Sequence, residues 1–109
     1  MDLYKGGDFS DLTDASDIVV LYLSRDDCGV CSALRPKVEE LLTRYPGVKS
    51  WFIDLDEFPL AAGRYTVFTV PAVLVFVRGK ETVRFARYFS IDELDDSLRR
   101  YCSLLDPRR

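Results

Sequence analysis

Cys28 and Cys31 enclose two residues, Gly29 and Val30, and this spacing is the strongest chemical signal in the chain. Cysteines three apart at a helix start lie one turn from each other, close enough for their sulfurs to bridge when oxidised. Polar Ser24-Arg25-Asp26-Asp27 precedes the pair and a helical pattern follows it, so Cys28 falls at a helix mouth. Free backbone N–H groups and the helix dipole favour an anion there, and the thiolate is the species that attacks a disulfide. The roles expected from this geometry are distinct. Cys28, at the exposed end, attacks a substrate disulfide and forms a mixed disulfide. Cys31, one turn inside, then attacks Cys28 and releases the reduced product. Asp26 and Asp27 oppose the helix, because a nearby negative charge disfavours a second one.

Two other chemistries use the same spacing. A Cys-x-x-Cys pair is half of many zinc sites, and it can also be an inert pair of buried thiols. Zinc needs two further ligands, for which the chain offers only the distant Cys102 and carboxylates, with no histidine. A loop position argues for exposure and against inert burial. No metal and no cofactor are therefore expected. The lack of histidine also excludes imidazole metal sites, Ser-His triads and Cys-His nucleophile pairs within one chain.

Composition narrows the classes further. The 15 basic and 18 acidic side chains leave a net charge of −3, which argues against a nucleic-acid partner. A content of 48% hydrophobic and 30% charged residues suits a chain with a real core. At 109 residues, positions 1–109 are expected to form a single domain. The longest apolar runs, Ile18 to Leu23 and Val70 to Val77, are too short to span a bilayer, so no membrane is expected. The first seventeen residues hold Asp2, Asp8, Asp11, Asp14 and Asp17 and no apolar stretch of signal length. A reducing, cytoplasmic location is the expectation. There a close cysteine pair is more often catalytic or metal-binding than structural.

The elements that must hold the pair can be read from periodicity. Ile18 to Leu23 is a β-branched apolar run of the kind buried on both faces of a sheet. Leu34, Val38, Leu41, Leu42 and Tyr45 trace one helical face, Pro36 should kink that helix, and Pro46-Gly47 ends it. Lys49 to Leu55 reads as a strand, and Glu57 to Arg64 as a short helical piece. Ala72 to Val77 and Thr82 to Tyr88 read as antiparallel strands joined at Arg78-Gly79-Lys80. Ser90-Ile91-Asp92-Glu93 is a capping box opening a helix whose apolar stripe is Ile91, Leu94, Leu98, Tyr101 and Leu105. Cys102 falls in register with that stripe and is expected to be a buried spectator thiol. An edge strand near Leu3-Tyr4 and a helical turn around Phe9 and Leu12 complete the reading. The order β-α-β-α-β-β-α makes an α/β sandwich with a mixed sheet.

These residues together resemble the thioredoxin family. The resemblance is carried by the strand–loop–Cys28-Gly29-Val30-Cys31–helix unit, Pro36, the strand Phe52-Ile53-Asp54-Leu55-Asp56, and Thr69-Val70-Pro71-Ala72-Val73-Leu74-Val75-Phe76 with Gly79-Lys80-Glu81 after it. It runs in register from about Asp8 to Leu105. It implies a thioredoxin fold: a three-layer α/β/α sandwich around a mixed central sheet, with a cis-proline loop. It implies a cis Val70–Pro71 bond facing Cys28, and a Val70 backbone that holds substrate like an added strand. Gly29, Val30, Val70 and Pro71 would then be the substrate-binding residues, and Cys28 and Cys31 the redox disulfide. The activity implied is reduction of protein disulfides in cell redox homeostasis and electron transport. The partners implied are disulfide-containing proteins and a thioredoxin reductase or small-thiol donor, with the chain acting as a monomer.

Several residues depart from the family pattern. Val30 stands where thioredoxins have proline, Asp27 replaces an aromatic residue, and Ser24 a tryptophan. Tyr22 and Phe52 replace a buried Asp/Lys pair, and joint loss avoids stranding one charge in the core. Arg87 and Tyr88 occupy the region where the family has a glycine beside the substrate groove. These departures keep a second reading open, a partner-binding or redox-sensing module without efficient turnover.

Overall fold

Runs of Val, Ile and Leu take the centre of a five-stranded mixed sheet, in a computed structural model that describes residues 1–25 and 29–105, with side chains for 1–25 and 32–105. The strands are β1 (Asp2–Leu3), β2 (Ile18–Ser24), β3 (Lys49–Asp54), β4 (Ala72–Val77) and β5 (Lys80–Ala86). The helices are α1 (Phe9–Thr13), α2 (Gly29–Leu42), α3 (Leu60–Tyr65) and α4 (Ile91–Leu105). Spatial order is β1-β3-β2-β4-β5. β3 is parallel to both β1 and β2, while β4 is antiparallel to both β2 and β5.

Strand β2 is buried at every residue, as its unbroken apolar run requires. Its alternate side chains feed two cores. Val19, Leu21 and Leu23 pack with Leu12 of α1, Ala61 and Tyr65 of α3, and Ile53. Ile18, Val20 and Tyr22 pack on the other face with Val38 and Leu41 of α2, Leu94 and Leu98 of α4, and Phe52. The result is a three-layer α/β/α sandwich. Among the described residues no helix is long and apolar enough to cross a membrane.

Helix α4 starts where its capping box places it: the Ser90 N–H donates to Glu93 Oε2 at 3.1 Å and the Glu93 N–H to Ser90 Oγ at 3.2 Å. Several boundaries move from their sequence-based positions, most of all in α3 and β5. Helix α3 begins at Leu60 rather than Glu57, because Phe58 N–H turns back to Asp54 O at 2.8 Å and Pro59 takes the cap position. Strand β5 starts and ends two residues early. Arg78 and Gly79, at φ 51° and 82°, form a tight two-residue turn that starts the strand at Lys80, and a register shift at Val75/Phe76 follows. Cys102 is half-buried, not buried: near the end of α4 it packs on the core from one side and lines a surface groove of about 540 Å³ on the other.

Candidate active site

The parallel pair β2/β3 delivers two chain ends to one edge of the sheet, the carboxyl edge where open α/β sheets place their sites. Ser24, 2% exposed, accepts a hydrogen bond from the Leu55 N–H at 2.9 Å, and the Asp56 N–H donates to Asp54 Oδ1 at 2.9 Å. The Arg25 guanidinium then pairs with the Asp56 carboxylate at 3.0 Å, tying the start of the cysteine loop to the end of β3. Helix α2 begins at Gly29, four residues after Arg25, and Val30 and Cys31 lie in its first turn. Cys28, with Asp26 and Asp27, lies outside the described residues, as do the side chains of Val30 and Cys31.

Strand β4 runs antiparallel to β2, so its first residues come to the same edge. Leu23 pairs with Ala72, which sets Pro71 level with Ser24. The Val70–Pro71 bond is cis. Pro71 is buried, and its carbonyl accepts the Arg87 N–H at 2.7 Å. Val70 is half-buried, and among the described residues its main-chain N–H and C=O have no hydrogen-bond partner. The loop leading to it is exposed, with Phe68 88% accessible, and Tyr88 across from it is 76% accessible.

Behind α2 the two core substitutions face each other. Tyr22 and Phe52 are register partners on β2 and β3, and their rings stack with centroids 5.8 Å apart and planes 26° apart. The Arg35 guanidinium of α2 caps the Phe52 ring at 3.9 Å, and its Nε pairs with Glu39 at 2.9 Å. Burial pushes the Tyr22 phenol up to about 12; the Arg35 charge opposes this and the Glu39 charge adds to it. The phenol therefore stays protonated through the working range of any cytosolic enzyme. Sequence reasoning had placed Tyr22 and Phe52 but had not found Arg35. The available signal was its position four residues after Cys31, on the same helical face. Phe68 was also missed, although an exposed aromatic just before Thr69-Val70-Pro71 has no core to fill. Among the described residues no cluster of three or more acidic or cysteine side chains is arranged for a metal.

The thioredoxin family's sequence pattern matches residues 5–100. The chain belongs to the thioredoxin family. The thioredoxin-like protein YdfQ of Bacillus subtilis is 37% identical over 86 residues, covering 79% of this chain and 77% of that protein. A mutant thioredoxin from Halobacterium salinarum superposes with a TM-score of 0.81 at 29% identity, covering 92% of this chain and 88% of that one. Thioredoxin 1 from Thermosipho africanus gives a TM-score of 0.75 at 33% identity, covering 81% and 98%. The chain is thus a thioredoxin-like thiol–disulfide oxidoreductase, and the family it joins acts on disulfide substrates together with reductase partners.

Proposed function

We propose that Cys28 is the attacking thiol and Cys31 the resolving thiol of a cytoplasmic protein-disulfide reductase that works as a monomer, with residues 1–109 as one domain. The observation that carries this reading is a pair of features at one sheet edge: the start of α2 after β2, and a Val70 main chain with no hydrogen-bond partner among the described residues. An extended substrate segment can pair with Val70 as an added strand, with Pro71, Gly29 and Val30 forming the rest of the contact surface. The Cys28 thiolate attacks the substrate S–S bond, forming a mixed disulfide and expelling one substrate thiolate. The Cys31 thiolate attacks the Cys28 sulfur, expelling the second. The substrate gains two electrons and, from solvent, two protons, and the Cys28–Cys31 disulfide that remains is reduced again by a thioredoxin reductase or a small thiol. No metal or cofactor enters either step.

The test is insulin reduction coupled to NADPH and a thioredoxin reductase. Cys28→Ser abolishes turnover, whereas Cys31→Ser accumulates mixed disulfides with substrate. Equal absence of trapped species in both variants refutes the assignment.

A further inference from the structure

The two arginines at the end of β5 do different things. Arg84 is consumed by the structure. Its guanidinium bonds Tyr65 O at 2.7 Å, Thr66 O at 2.9 Å and both Glu81 oxygens at 2.6 and 2.8 Å, pinning the base of the loop that carries Phe68 and Val70. Arg87, three residues on, has its main chain fixed to Pro71 O while its side chain is exposed. Among the described residues its guanidinium meets no carboxylate, only the ring of Tyr88 at 5.3 Å.

The backbone at Arg87 adds an independent observation. Its φ is 58°, and the Tyr88 N–H closes onto Ala86 O at 2.7 Å, two residues back. That left-handed turn suits glycine, the residue the family carries in this region, and strains any residue with a Cβ. Strain of this kind persists where the surroundings impose it, and it clusters at functional sites. An arginine here costs folding stability and, among the described residues, gains no ion pair in return. Its main chain is bonded to the proline beside which substrate would lie, and its exposed side chain lies against the exposed ring of Tyr88.

We propose that Arg87 is a specificity-determining residue that selects disulfide substrates whose extended segment bears a carboxylate side chain next to its cysteine. Charge complementarity supplies the argument: an exposed, ring-supported cation that meets no carboxylate among the described residues, on the rim of the strand-addition site, attracts an anion and repels a basic segment. The inference rests on the reductase reading above and refines it.

The test compares three disulfide peptides that differ only in an acidic, neutral or basic residue beside the half-cystine, with the wild-type protein, Arg87→Gly and Arg87→Lys. Wild type favours the acidic over the basic peptide by about threefold to tenfold in kcat/KM at low salt, chiefly through KM, and the preference shrinks at high salt as screening predicts. Arg87→Gly loses the preference yet melts no lower than wild type, because glycine relaxes the turn; Arg87→Lys keeps most of it. Equal rates on all three peptides, or a uniform loss in Arg87→Gly, overturn the inference while leaving the reductase reading intact. An Arg87-dependent preference for glutathione disulfide over every peptide also overturns it, since the occupant would then be a small carboxylate thiol. No reduction of any peptide by wild type defeats the underlying reading instead.

Discussion

Phe52→Leu removes a ring that two partners use at once. Tyr22 stacks on one side of it, and the Arg35 guanidinium lies 3.9 Å from its centroid on α2. A stacked pair of buried aromatics contributes about 0.5–1.5 kcal/mol beyond area burial. The Arg35 side chain is 38% exposed, so its cation–π contact belongs in the middle of the usual range, about 1 kcal/mol. The Arg35–Glu39 pair adds only a few tenths, as exposed i,i+4 pairs do. Adding roughly 1 kcal/mol for the volume lost between Phe and Leu, the single variant loses about 2.5–3.5 kcal/mol. For a chain of this length that lowers Tm by about 10–14 °C, at roughly 4 °C per kcal/mol. A double-mutant cycle with Arg35→Met isolates the cation–π part, read from urea unfolding midpoints at constant slope. The expected coupling is about 1 kcal/mol. Coupling within the ~0.3–0.5 kcal/mol scatter of independent sites would mean that Arg35 does not lie on the ring in solution, and the account of the swapped core pair would fail with it.

Two further outcomes follow from named side chains. Tyr22, Tyr45 and Tyr65 are each pushed up to about 12, by burial first and, for Tyr45, also by its hydrogen bond to Asp95. The unfolded chain releases these protons near pH 10 while the folded one retains them, so stability is full below pH 10 and falls as pH rises toward 12. Phenolate absorbance should therefore show a late-titrating fraction that moves to lower pH in denaturant; three phenols titrating alike in both states would contradict the burial argument. Cys102→Ala should leave insulin reduction unchanged and cost at most about 2 kcal/mol, less than a core truncation, because the thiol is packed on one side only. A loss of turnover in that variant would give Cys102 a redox role.

The architecture was legible in the sequence wherever one physical rule acted alone. Unbroken apolar, β-branched runs located β2 and β4, helical spacing located α2, and the Ser90/Glu93 box set the start of α4 to the residue. Boundaries moved where two rules competed. In β5 the two-residue turn at Arg78-Gly79 began the strand two residues early, and the left-handed residue at Arg87 ended it two residues early although the apolar pattern extended further. Cys102 shares the helical register of Leu98, but register reports direction and not depth, and its turn of α4 is covered on one side only. The contact between Arg35 and Phe52 was out of reach for a similar reason. A helical wheel shows which face Arg35 occupies, whereas ring geometry depends on the register between β2 and β3 and on where α2 crosses them.

Tyr22, Phe52 and Arg35 act as one unit, with the two rings stacked and the guanidinium over one of them. A carboxylate at position 22 alone would sit at a site with no solvent exposure, at a cost of several kcal/mol. A lysine at position 52 alone would set its ammonium against the Arg35 guanidinium, which now rests on that very ring. Even the complete Asp/Lys pair would meet a third charge that the aromatic pair does not. The aromatic version removes the buried charges and turns the nearby arginine from a repulsive neighbour into a lid over the π face. On α2 the Arg35 and Glu39 charges pair at the surface, outside this core. A second cation stands on the rim of the site at Arg87. The start of α2 and the Val70 main chain, which has no hydrogen-bond partner among the described residues, are both compatible with the aromatic pair, so the exchange leaves in place the two features on which the proposed reductase chemistry rests.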